Sequence, residues 1–510
     1  MPTEKRTKIL TETEITELFS PPPLNLNDQR FFFTLNDAEL AESKKIRDRN
    51  QRCMFVVLLG YFKVKPVMLN PGYHQVKQDL KHVCKNVFPG SGLRPFNLTQ
   101  KTRARIYQRI FRLANHQRWQ EKLHCAELIR DLNEQALRWV QPRSLFDRAI
   151  EFLSAHQIAI PGYTVLQDLI VEVVRTTNDR FVNQVENQIS KDLSQMLSDL
   201  VDSGGSLPLR ELRQSARNFT GTELEKELNV HRHIQHWMPE VTVVLNTLLL
   251  SQKNQQLFAG RVDYYGAKLK RQSKANQGLY LLCYLQSRWQ QALERIADGF
   301  VHHIRQTKQK AKTYAQEAVY QDWQNAAKNV SKAADVLHLF IDDNIDQQQS
   351  FGTVKQKALN LLAANELESV CLFLNEQKRS VDEAMWQYYD EKDSLRKGLL
   401  RELFLCLRFE GSEGSQRLAT GLEHARVELS ASGALAIAAI DKRLPANKVL
   451  CFLQDSSGNI KPDRYEWYLY QQIPSRLNGQ LTLPEVIKYR ALDADLINRE
   501  RWQEEKNRLL

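Results

Sequence analysis

The chain has 510 residues, room for about three domains. Hydrophobic residues at 42% and charged residues at 26% are ordinary globular usage, which excludes a wholly disordered chain. The 20 glycines and 16 prolines are about 4% and 3% of the chain, below the usual roughly 7% and 5%, so long helices are favoured over glycine-rich phosphate loops and turn-rich β-sandwiches.

The net charge of +11 is confined to the first third. Residues 1–150 hold 26 Lys/Arg and 15 Asp/Glu, whereas residues 151–510 hold 45 of each. The longest apolar run, Met54 to Phe62, is far short of the roughly 20 residues of a membrane span. Met1 to Leu10 is polar and basic, without the apolar core of a signal peptide. Seven cysteines with no CxxC pair read as reduced thiols without a structural zinc site. A cytoplasmic protein with no membrane partner is the expectation.

Breakers divide the chain into helical blocks. Pro21-Pro22-Pro23 closes a first short helix, and Phe88 to Pro95 is a turn or linker. Between Ser43 and Gln120 there are 17 Lys/Arg and only two acids, Asp48 and Asp79. A solvated helical face usually mixes signs, whereas a surface that meets phosphates excludes carboxylates. The depletion of acids therefore favours a polyanion partner over a merely solvated basic face. Within the window, Gln100 to Trp119 has opposed faces. Lys101, Arg105, Arg109 and Arg112 fall within about 80° of one another on a 3.6-residue helix, opposite Ile106, Ile110 and Leu113. Such a helix can dock on DNA with its cations outward.

Ser144 to Asn178 reads as helix, turn, helix, with Leu145, Ile150 and Leu153 before the Ala159-Ile-Pro-Gly-Tyr163 turn and Leu166, Ile170 and Val173 after it. Asp168 and Glu172 on the second helix repel phosphate, so a packing unit is favoured over a recognition helix. In 178–201, Val182, Val185, Ile189, Leu193, Met196 and Leu200 form one core stripe. Ser203-Gly-Gly-Ser206 is the next breaker. Tyr280 to Ala297 reads as a buried helix, Gly411 to Ser415 and Asp455 to Asn459 as turns. Gln347 to Gln349 is the only low-complexity hint. Strands are expected only near the end, at Val449 to Leu453 and Leu481 to Leu483.

The fold class is thus mainly α, with several helical DNA-binding and scaffold domains and a small β element near the C-terminus. The expected division is 1–90, a basic helical DNA-binding domain; 91–202, a second, with the helix-turn-helix-like unit; 203–310, a third DNA-binding or linker domain; 311–410, a helical scaffold; and 411–510, an α+β dimerisation or scaffold segment. Two clusters could carry chemistry. His231, His233 and His236 form an HxHxxH cluster whose outer pair is five apart, not the i, i+4 of a zinc helix, so polar surface or phosphate contact is the favoured reading. Asp342, Asp343 and Asp346 read as a solvated helix end rather than a two-metal site.

Several segments, in order, resemble the Tn-three family of replicative transposases. The run Arg47-Asp-Arg-Asn-Gln-Arg52 followed by Cys53 to Lys63 looks like the family's N-terminal domain, with Cys53-Met54 in place of its Leu-Gly and Gln51 inserted between Asn50 and Arg52. Leu250-Ser251, Asn254, Tyr264-Tyr265-Gly-Ala-Lys268-Leu-Lys270-Arg271 and Leu279 to Tyr284 resemble its middle. Lys397 to Phe404, Leu407 to Gly411, Arg464 to Leu469, Tyr489-Arg490 and Asp493 to Ile497 are similar to the segment before its catalytic domain. The resemblance implies binding of transposon terminal inverted repeats in double-stranded DNA, homodimerisation with the full-length enzyme and a cytoplasmic, nucleoid-associated bacterial location. The family's magnesium-dependent Asp-Asp-Glu nuclease lies beyond the matched region, so no catalytic residue, metal or cofactor is assigned here. The chain reads as a truncated or split transposase, inactive alone. Its expected phosphate contacts are Lys44, Lys45, Arg47, Arg49 and Arg52; Lys101, Arg103, Arg105, Arg109 and Arg112; and Lys268, Lys270 and Arg271. The alternatives are a stand-alone end-binding protein that competes with the full transposase, or a helical scaffold that binds an acidic protein.

Overall fold

A computed structural model describes residues 8–89, 95–202, 208–264, 269–343, 345–346, 348–375, 380–412, 414–477 and 479–491. Several expectations lie outside these residues: Lys268 with the adjoining Tyr265 to Ala267, the centre of the 88–95 turn, the 203–206 breaker, Glu413, Gln347 and the 493–497 match. The described chain is mainly α-helical with one two-stranded sheet, as its composition implies. It divides into two compact units, Met1–Gly204 with Pro239–Ser287, and Gly205–Met238 with Arg288–Leu510.

Among the described residues, the first unit contains ten α-helices before its first break: α1 (Glu12–Phe19), α2 (Leu26–Phe32), α3 (Asp37–Lys44), α4 (Arg49–Val64), α5 (Lys77–Asn86), α6 (Gln100–Leu113), α7 (Glu121–Arg138), α8 (Pro142–Ala155), α9 (Tyr163–Gln188) and α10 (Lys191–Asp202). Helix α4 organises the first six. Its residues Cys53 to Phe62 are all buried, so it needs neighbours on every side. Helices α2, α3, α5 and α6 supply them. The approach of α2 is close enough to require a glycine: a Cβ on Gly60 would lie 2.5 Å from the Phe33 ring. On the α5 side, the Cys53 and Cys84 sulfurs are 3.5 Å apart. Burial above all pushes the Cys53 thiol up to about 12, so it is a core group rather than a reactive one.

The α8–α9 connection joins the two halves of this region. Ile160 N–H donates to the Pro66 carbonyl at 2.8 Å, and Ala159 N–H to the Gln117 carbonyl at 2.8 Å. Segments on both sides of residues 88–95 therefore belong to one unit. The helix-turn-helix expected over 144–178 is present as α8 and α9, and Leu145, Leu153, Leu166, Ile170 and Val173 are buried in the core. The stripe expected over 178–201 is interrupted: α9 ends at Gln188, and the Ser190 hydroxyl accepts the Leu193 N–H at 3.1 Å to start α10. Helix Gln252–Tyr264 docks on the end of α7 through Asn254, which is fully buried. Asn254 accepts from Val140 N–H at 2.8 Å and donates to the Ala136 and Leu137 carbonyls at 2.9 and 3.0 Å, satisfying groups that the end of α7 leaves open.

The buried helix expected over 280–297 is part of a longer one, Lys274–His338, whose residues from Arg288 belong to the second unit. Arg288 and Glu227 form a buried ion pair at 2.6 Å. Arg288 also donates to the Leu212 and Gln214 carbonyls at 2.8 Å each, and Glu227 accepts the Ala216 N–H at 2.5 Å. The pair thereby fixes residues 212–216 against helix Gly221–Ile234. A second buried carboxylate, Glu466 on helix Pro462–Arg476, accepts from Arg396 and, at 2.7 Å, from Arg401. Segments 397–404 and 464–469 are thus brought together as core partners. The two strands, β1 (Glu410–Gly411) and β2 (Leu481–Thr482), pair antiparallel. Val449 to Leu453, expected as a strand, is part of helix Asn447–Leu453. A short apolar run fits either state, and here one face packs inward through Leu453.

His231 also corrects an expectation. It is buried and stacks on Trp289 with ring centroids 4.4 Å apart, while His233 and His236 are exposed. Its position three residues after Leu228 puts it on the apolar face of its helix. Burial, and secondarily the Arg232 charge, pulls its imidazole down to about 4. The folded protein therefore holds His231 neutral where the unfolded chain takes up a proton. The associated stability is complete above about pH 6.5 and is lost as pH falls towards 4, by up to about 3 kcal/mol. Chemical denaturation across this range is expected to show that His231→Phe loses less stability than the wild type. Equal losses would contradict the assignment.

Candidate nucleic-acid interface

The two carboxylates of the acid-poor window are both occupied by the fold. Asp48 is the N-cap of α4 and accepts the Gln51 N–H at 2.7 Å. Asp79 is buried, accepting from Gln29 Nε2 at 2.7 Å and from the Tyr61 hydroxyl. Asp79 is thereby withdrawn from the surface, and Asp48, which stays exposed, is the only acid that the window leaves beside its cations among the described residues.

The cations themselves fall into two groups. Several are held internally. Arg49 donates to the Phe88 carbonyl at 3.0 Å, and Arg52 to the Ile46 carbonyl at 2.8 Å while its guanidinium faces the Phe88 ring. Arg103 donates to the Leu98 carbonyl at 3.3 Å. Lys63 pairs with the buried Glu39 at 2.8 Å, and Lys65 donates to the Glu17 and Ser20 carbonyls at 2.5 Å each. Lys65 thus sits where the helix dipole of α1 ends and favours a cation. Arg49, Arg52 and Arg103, expected as phosphate contacts, therefore support the fold through these bonds.

The second group faces water. Lys44 and Arg47 at the α3–α4 junction, and Lys101, Arg105 and Arg112 on α6, are exposed and hold no ion pair among the described residues. On α6 the three lie within about 40° of one another, while Ile106, Tyr107, Ile110 and Phe111 face the core. Glu42 on α3 connects the two expected clusters. It pairs with Lys45 at 2.6 Å and with Arg109, drawing the end of α3 against the middle of α6. Beside these cations, the Glu42 carboxyl is lowered from its ordinary value, first through its hydrogen bond with Lys45. Lys270 and Arg271 are exposed just before helix Lys274–His338.

Sequence reasoning did not single out a further row, Lys77, Lys81 and Lys85, exposed along α5. Its signal was present: the three are spaced at i, i+4 and i+8, with Asp79 on the opposite side of the helix. On α9, Glu172 pairs with Arg175 at 2.8 Å on an exposed face, which suits packing better than phosphate contact. Asp342, Asp343 and Asp346 are exposed beyond the end of the long helix. Among the described residues, no three His, Cys, Asp or Glu side chains are grouped to hold a metal ion, and no helix is long and apolar enough to cross a membrane.

Residues 9–173 match a family described as a domain of unknown function, DUF4158, which in some families is associated with the N-terminal regions of transposases. The match runs from the start of the described chain to the middle of α9, and so spans the whole acid-poor window. Its first residue contacts the start of α9, since Ile9 N–H donates to the Tyr163 hydroxyl at 3.2 Å. No curated protein matches the chain.

Glu42 is the one carboxylate recorded in ion pairs with the expected contact residues of α3 and α6. Glu42→Gln frees Lys45 and Arg109 and is expected to steepen the salt dependence of duplex binding by about one to two in the slope of log K against log salt. A titration in which the variant is no steeper than the wild type would show that neither cation reaches phosphate.

Proposed function

We propose that this chain binds double-stranded DNA through the first unit, with the α6 face and the α3–α4 junction as the phosphate contacts, and that the DNA is the terminal inverted repeat of a transposon. The observation that carries the first part is the separation of charge: the window's acids are capped or buried, while Lys44, Arg47, Lys101, Arg105 and Arg112 remain exposed without ion pairs. A polyanion is the partner that rewards such a surface, through release of its condensed counterions. The choice of transposon ends is supported by the family match over 9–173, with its transposase association, and by the ordered resemblance along the rest of the chain.

In this reading the first unit positions the duplex and the second is a scaffold for assembly with the catalytic part of the enzyme. The cations give affinity and register, since phosphate contacts carry no sequence information directly. Homodimerisation with the full-length enzyme is part of this proposal; a stand-alone chain that occupies the ends and competes with a full transposase is the alternative to it.

Counterion release gives the test. Five contacts correspond to a slope of log K against log salt of about −4.5. Replacing Lys101, Arg105 and Arg112 together with Gln is expected to flatten it by about 3. An unchanged slope would remove α6 from the interface. Salt-sensitive binding to an acidic protein with none to duplex would favour the scaffold alternative.

A further inference from the structure

A concave surface of the first unit lies between α2 and α5, with no α6 residue in its described lining. It is a half-open cleft of about 720 Å³, a volume within the roughly 300–1,000 Å³ of small-ligand sites. Arg30 from α2 and Lys81 and Lys85 from α5 stand on its rim, and no carboxylate lines it. The three are exposed and hold no ion pair. The two nearby acids are engaged by the fold: Asp28 accepts the Asn25 N–H at 3.2 Å, and Asp79 lies buried between Gln29 and Tyr61. Leu24 and the exposed Leu26 supply an apolar part of the wall, beside side-chain amides, while Phe33 lies almost fully buried behind it. His82 lines the cleft next to Phe33, with ring centroids 6.1 Å apart. Burial, then the Arg30 charge, lowers its pKa, against the opposing pull of Asp79.

A cationic rim over an apolar wall with neutral hydrogen-bonding groups suits a ligand with a charged and a flat apolar part. We infer that this cleft binds a single nucleotide, its phosphate between Arg30, Lys81 and Lys85 and its base against the Leu24 and Leu26 side, with His82 and the amides meeting the base edge. The nucleotide is either free or one unstacked residue of a DNA strand; the chemistry is shared. A duplex bound on α6 cannot offer its bases in this way without opening, so the cleft extends the proposed function rather than repeating it.

The test is calorimetric titration of the full chain with deoxynucleoside monophosphates, deoxynucleosides, inorganic phosphate and a short single-stranded oligonucleotide. The monophosphate is expected to bind at least 10-fold more tightly than either the nucleoside or inorganic phosphate. Lys81→Gln with Lys85→Gln, and separately Arg30→Gln, should each weaken it by at least 10-fold. These exposed positions leave the fold intact, as circular dichroism would check. Binding of the oligonucleotide with the same variant sensitivity assigns the ligand to a strand, and binding of the monophosphate alone assigns a free nucleotide. The inference is overturned if the monophosphate does not bind, if inorganic phosphate binds as tightly, or if the variants bind like the wild type. Duplex affinity measured on the same variants is expected to change less than 3-fold, so failure of the cleft and failure of the α6 interface are separately visible.

Discussion

A helix that is buried on every side dictates what surrounds it. Ten consecutive residues of α4 are out of contact with water, and burying each large apolar side chain is worth roughly 1.5–3 kcal/mol. Helices α5 and α6 each give an apolar face to α4, while α2 buries Gln29 and α3 buries Glu39 and Ser43, and the other face of each is left to solvent. The outer faces of α5 and α6 are lined with lysine and arginine. Packing determines which residues point outward, and the composition of those outward faces determines the chemistry of the surface.

The placement of carboxylates completes that chemistry. A carboxylate on the surface would neutralise neighbouring cations and repel phosphate. Asp48 is exposed but serves the N-terminus of α4, where the backbone N–H groups need an acceptor. Asp79 is committed to Gln29 and Tyr61, joining α2, α4 and α5. Glu42 serves two cations at once and sets α3 against α6. Each acid strengthens the packing around α4, and the exposed cations beyond Glu42's reach stay unpaired. The second unit uses its charges differently. Glu227 with Arg288, and Glu466 with Arg396 and Arg401, are buried and hydrogen-bonded, and removing one partner of such a pair typically costs about 3–5 kcal/mol.

Much of this was legible from residue order, because helical periodicity is local. The opposed faces of α6, the α8–α9 pair and the buried start of the long helix all follow from 3.6-residue spacing. What escaped depends on contacts distant in sequence. Arg49 meets the Phe88 carbonyl and Arg109 meets Glu42 across 39 and 67 residues, and no periodicity announces either. The same holds for the α2–α5 cleft, whose cations come from separate helices. The helix at Asn447–Leu453 escaped for another reason: five apolar residues are too few to separate a period of two from one of 3.6. For His231, the spacing from Leu224 and Leu228 was a usable signal, hidden by the more conspicuous histidine cluster.

The central claim is that the first unit holds the end of a transposon. Its most direct test is binding of the intact chain to a labelled terminal inverted repeat and to a scrambled duplex of equal length, at near-physiological salt. The account predicts a clear preference for the repeat. Equal, weak binding to both duplexes would contradict it, and would reduce the basic surface to an electrostatic anchor without recognition.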